Sequence, residues 1–190
     1  PIPNRAAVTS SPTKHPLIRF TLYLLSGFAL LLSSDLASGQ TVFTKAPTEV
    51  SIHNPEKTEG LRNRTTISVR VPEDAGAELE FLILSQLINN HHWDWGRSEP
   101  EMYFGQYGLR RRGEPGLVQT ILSESGDKLS IRFNPAIEPG KQANVVFHSF
   151  NPDEDIYDWS TSLIPAGDDP ITSDGPVSYT HLTLPTTGVV

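Results

Sequence analysis

The residues best suited to chemistry lie in one stretch, Asn89–Gly108, which carries His91, His92, Trp93, Asp94, Trp95, Tyr103, Phe104 and Tyr107. Exposed together, Trp93, Trp95, Tyr103 and Tyr107 would form a stacking surface for a glycan or a partner protein, because aromatic faces bury large areas. The competing reading places the two tryptophans in the core, closing one end of the fold. His91, His92 and Asp94 have the chemistry of metal ligands. Adjacent residues on a strand point to opposite faces, however, so both histidines can reach one ion only from a loop. No further histidine pair is spaced to complete such a site, His53 and His148 could approach only by folding, and a solvated loop is the simpler expectation.

A second cluster is acidic. Asp153, Glu154, Asp155 and Asp158 offer the hard oxygen ligands that calcium takes, without the glycine and distal glutamate of the helix–loop–helix calcium pattern. Asp153, Asp155 and Asp158 are the candidate metal ligands; a loop that merely solvates its charge is the competing reading. No other cofactor is indicated. The chain has no G-x-S-x-G, no H-E-x-x-H, no P-loop and no G-x-G-x-x-G leading a helix. No catalytic residue is assigned, and a binding domain is expected rather than an enzyme. The alternative is a metal-dependent hydrolase built on the histidine or acidic loop.

The elements that must position these residues read as strands. Thr65–Val71 alternates, with Ile67, Val69 and Val71 on one face. Leu79–Ile88 is apolar on both parities and is read as a buried strand in preference to a short helix. Leu117–Glu124 and Lys128–Phe133 form a hairpin about Ser125-Gly126-Asp127, with Leu129, Ile131 and Phe133 inward. Ala143–Phe150 and Trp159–Ile164 are further strands, and Asn89–Gly108 is a loop with one short strand. About seven short strands, separated by Pro- and Gly-rich turns, predict an all-β antiparallel β-sandwich, immunoglobulin-like in style but without the Cys–Trp–Cys signature. A closed barrel is the alternative.

Composition narrows the setting. The formal charge is −7, and Arg5, Lys14 and Arg19 all precede Gln40, so the remainder is more acidic still. That sign repels phosphate backbones, and nucleic acid is not an expected partner. Arg110-Arg111-Arg112 is the one basic run, read as a solvated turn or strand edge. There is no cysteine, so neither a disulfide nor a cysteine-linked lipid anchor is available.

The N-terminus reads as an export signal. Lys14, His15 and Arg19 form a basic region before the apolar run Phe20–Leu32, which is short for a membrane span. Ala37 and Gly39 suit signal peptidase, so residues 1–39 are expected to be removed, with a retained anchor as the rival. Residues 40–176 then form a free periplasmic or secreted β-domain, with no membrane span left after cleavage.

Several landmarks occur in order: Val71-Pro72-Glu73-Asp74-Ala75-Gly76-Ala77-Glu78-Leu79, Gly108-Leu109-Arg110-Arg111-Arg112-Gly113, Phe133-Asn134-Pro135 with Glu138-Pro139-Gly140, and Ser162-Leu163-Ile164-Pro165-Ala166-Gly167. In this order they resemble a family of exported cyanobacterial proteins defined only as a domain of unknown function. The resemblance covers roughly Val42 to Pro170 and implies an exported β-domain of the cell envelope. It implies no activity, cofactor or catalytic residue. Val177–Thr186 (VSYTHLTLPT) resembles a translated sequencing adapter, so residues 177–190 are expected to be a non-native tail in place of a last native strand.

Overall fold

The computed structural model describes residues 39–109 and 113–185. The expected leader up to residue 38, the Arg110–Arg112 run and residues 186–190 of the expected tail lie outside the described residues. The described residues are all-β. In chain order the strands are β1 (Glu49–His53), β2 (Arg62–Arg70), β3 (Leu79–Gln86), β4 (Glu101–Phe104) and β5 (Glu114–Leu122). They continue with β6 (Lys128–Ile137), β7 (Gln142–Phe150), β8 (Ile156–Pro165), β9 (Ser173–Asp174) and β10 (Ser178–His181). Among the described residues no helix is long and apolar enough to cross a membrane.

The strands run β1-β2-β7-β4-β5-β6-β3-β8-β10, with β9 on β8, and every strand pairing is antiparallel. One strand joins two sheets. Residues 114–116 of β5 pair with β4, and residues 117–122 pair with β6. The curled sheet therefore folds over on itself as a sandwich, the way such folds turn a corner. Its far edges meet where the Ser178 hydroxyl donates to the Val50 carbonyl at 3.2 Å.

Alternation accounts for most of the core. Leu129, Ile131 and Phe133 of β6 and Tyr157, Trp159 and Leu163 of β8 are buried at every second position. The two-parity pattern of β3 has a separate cause. A bulge between Leu79 and Phe81 shifts the register, so the inward set passes from Leu79 to Leu82 and Leu84. Sequence reading misses β9 and assigns the β-prone segment of β10 to a non-native tail. β9 has two residues and β10 four, too few for periodicity to show. β10 falls within the adapter-like segment; it pairs with residues 156–159 of β8 and buries Ser178 and Thr180.

An aromatic cluster closes one end of the sandwich. Trp93 is 2% exposed and meets Tyr157 and Trp159 edge-on, at centroid distances of 5.2 and 5.4 Å. Trp95 is 6% exposed and meets Phe147 in the same way at 5.1 Å. Such pairs are favourable because a positive ring edge meets a negative face. Trp93→Ala and Trp159→Ala are each expected to cost about 3–5 kcal/mol, read as a lower urea midpoint at unchanged slope. A loss near that of a surface substitution would contradict the packing described.

Candidate functional site

The odd-numbered residues of β2 face inward, so Arg62, Arg64, Thr66, Ser68 and Arg70 share the outer face. The register with β7 sets Phe150 opposite Arg62 and His148 opposite Arg64. A loop brings a further cation to the same place. Burial of Trp93 and Trp95 pins residues 93–95, and Asp94 Oδ1 accepts the Gly96 N–H at 2.8 Å. Gly96 turns with φ 80°, and a Cβ there would lie 2.3 Å from the His148 carbonyl oxygen. Only glycine permits that backbone contact.

The result is a cleft of about 620 Å³ whose walls include Arg62, Asp94, Arg97, His148, Ser149 and Phe150. The Arg62 guanidinium lies 6.0 Å from the centre of the Phe150 ring. Arg62, Arg64 and Arg97 make no ion pair among the described residues. The Ser149 hydroxyl and Arg64 Nη1 are buried without a hydrogen-bond partner among the described residues, but Ser149 faces inward opposite Asn63 and Arg64 is not on the cleft wall. Two guanidinium groups and an imidazole suit an anion, since arginine presents a planar fork of donors that matches carboxylate and phosphate. His148 and Ser149 are neighbours on one strand and share no hydrogen bond, so they form no proton relay.

Further along the same face, Tyr107 stacks on His53 with ring centroids 3.6 Å apart and planes 6° from parallel. Burial lowers the His53 pKa. Burial also raises that of Tyr107, with Arg64 pulling it down and Tyr103 pushing it up. Tyr103 is 4% exposed, and its hydroxyl is buried without a partner among the described residues.

The four aromatic residues expected to share one surface are therefore divided. Trp93 and Trp95 lie between the sheets, whereas Tyr103 and Tyr107 lie on the outer face. The two tryptophans cannot stack on a ligand from where they are. The acidic residues also go separate ways. Asp153 pairs with His91 at 3.0 Å, and Asp155 Oδ1 accepts the Ile156 N–H at 2.7 Å. Asp158 is on the outer side of β8. Among the described residues no three His, Asp or Glu side chains form a group that could hold a metal. Asp153 has a structural contact instead, because its carbonyl accepts the Tyr157 hydroxyl at 2.8 Å. The Tyr157 pKa is pushed up to about 12, by burial first and then by the carboxylates of Asp155, Asp153 and Glu59. Sequence reading passed over Arg62 and Arg97 and considered His148 only as a distant metal ligand; the one signal available was Arg62 and Arg64 two apart in a strand.

His53 generates a prediction. Its pKa is lower in the folded chain than its ordinary 6.5, so the unfolded chain binds more protons as pH falls. The stability is present above about pH 6.5 and is lost as pH drops through the folded value. The urea midpoint should fall between pH 7.5 and 5.5, and His53→Phe, which keeps a ring against Tyr107, should reduce that fall. An unchanged pH slope in the variant would contradict it.

Comparison with curated proteins finds no match. Solved structures with a similar architecture include an uncharacterized protein from Nocardia farcinica with an immunoglobulin-like fold. It is 10% identical, covering 70% of this chain and 97% of that one, with a TM-score of 0.43. BslA, a bacterial hydrophobin, is 9% identical over 75% of this chain and 98% of its own, with a TM-score of 0.44. The collagen-binding domain from a Staphylococcus aureus adhesin is 6% identical over 76% and 99%, with a TM-score of 0.37. Likeness this distant says nothing of ligand or partner. The sequence itself places the chain more firmly: residues 40–175 match the model of the family described as protein of unknown function (DUF2808), and the chain belongs to that family.

Proposed function

We propose that this is a non-catalytic binding domain of an exported protein, working in the periplasm or outside the cell, whose cleft holds an anionic group of an envelope glycan. The observation that carries this reading is electrostatic. On a chain of formal charge −7, where carboxylates outnumber cations, Arg62 and Arg97 border one cleft and neither has an acidic partner among the described residues. Cations on such a surface that are left unneutralised attract an external anion. His148 adds an imidazole to the same wall. A carboxylate is the simplest group that matches a guanidinium fork. The metal-dependent hydrolase reading has no arrangement of ligands among the described residues to support it.

Titration of the chain with oligogalacturonate, against neutral dextran of similar length, tests this reading. Binding is expected for the acidic glycan alone. The Arg62→Ala/Arg97→Ala double variant should weaken it by about tenfold or more. Equal binding of both glycans, or no loss in the double variant, would sink the proposal. Export has its own test: the secreted or periplasmic product should begin at Gln40 by N-terminal sequencing. Recovery of an uncut chain in the membrane would favour the retained anchor instead.

A further inference from the structure

β5 is an interior strand that is open along part of one side among the described residues. Beyond Gly116 it parts from β4, and residues 117–122 then pair with β6 alone. Their other side carries no strand among the described residues. Between the parting strands runs a groove of about 760 Å³, walled by Glu99, Glu101 and Tyr103 on one side and Gly116, Leu117 and Gln119 on the other. The pairing with β6 is continuous, so the edge has no bulge. Its sequence, LVQTIL, has no charge and no proline. Leu117 is 70% exposed and Ile121 72%, both on the outward face. Natural sheets usually blunt a free edge with lysine, proline or a bulge, and this one has none of them.

An open ladder edge is complementary to extended backbone, and its side-chain period favours aliphatic residues at alternate positions. Charge narrows the occupant further. Glu99 lies in the groove, and Glu114 and Glu124 bracket the edge; none of the three makes an ion pair among the described residues. An acidic border calls for basic ends on the incoming strand. A second copy fits poorly. Its own LVQTIL brings no basic residue to this acidic border and adds a second Glu124, and like charges repel.

We propose that the β5 edge is a strand-addition site for an extended segment of a partner protein, with aliphatic residues at alternate positions and lysine or arginine at its ends. The probe is a fluorescein-labelled peptide of alternating valine and threonine flanked by lysines, read by fluorescence anisotropy on the full chain. It should bind, and N-methylation of alternate backbone nitrogens should abolish binding. Ile121→Lys should weaken it by about tenfold or more, as lysine does at natural edges; its exposed position predicts an unchanged melting temperature. Glu124→Lys should weaken it as well, whereas Arg62→Ala/Arg97→Ala should not, which separates this site from the cleft. Absence of binding, or binding indifferent to N-methylation, would overturn the proposal. So would a dimer of the chain that Ile121→Lys disperses, since that would give the edge to a second copy.

Discussion

The seating of Trp93 edge-on against Tyr157 and Trp159 is the contact on which much of the rest depends. Without cysteine, the chain has no covalent tie to hold a long connection against its sandwich. The connection between β3 and β4 is held by packing instead. Gln86 adds to the anchor: its side-chain oxygen accepts the Trp93 N–H at 2.9 Å, and its amide donates to the His91 carbonyl at 2.6 Å. Once the indoles are buried, Gly96 must pass close against β7, and Arg97 follows it into the cleft. Core packing and the proposed binding surface are thus two consequences of one loop conformation.

Buried amide hydrogen bonds fix the adjoining end of the outer sheet. The Asn63 amide donates to Asn54 Oδ1 and, at 2.8 Å, to Asn151 Oδ1. Asn151 in turn donates to the carbonyls of Glu56 at 2.9 Å and Thr58 at 2.8 Å. The three side chains bind the loop before β2 to the segment after β7, and so hold the ends of the two strands that carry Arg62 and His148. Groups of this kind are stabilising only when each donor and acceptor is matched, since an unmatched buried amide costs about 1–3 kcal/mol. The contrast with Arg64 Nη1 and the Ser149 hydroxyl is informative. They are buried without such partners among the described residues, so each leaves a donor unmatched.

Charge follows a similar division. The ion pairs Lys45–Asp74, Arg132–Glu80 and Lys141–Glu138 lie at the surface, where water screens them and each adds little to stability. The arginines of the cleft stand apart from these pairs. Strand partition explains how: β2 and β7 lie side by side in the sheet, and alternation sends Arg62 and Arg64 to the face away from the core. Asp94 is on the cleft wall too, where Arg62 and Arg97 outnumber it.

Sequence alone determined the class of fold, because alternation in Thr65–Val71, Lys128–Phe133 and Trp159–Ile164 is a local signal that burial of one face requires. It also identified the reactive stretch around Trp93, but not which way its side chains turn. That choice depends on partners distant in the chain: Phe147, Tyr157 and Trp159 surround the indoles, whereas no neighbour within a few residues could. The acidic run was equally legible as composition, and its dispersal was not, because Asp153 pairs with His91, distant in the chain, while Asp155 accepts a backbone N–H. The cleft was invisible for the opposite reason. Arg62, Arg97 and His148 lie far apart in sequence, and only the β2–β7 register and the Gly96 turn bring them together. Side-chain type sets what chemistry a residue can do; tertiary register decides which residues do it jointly.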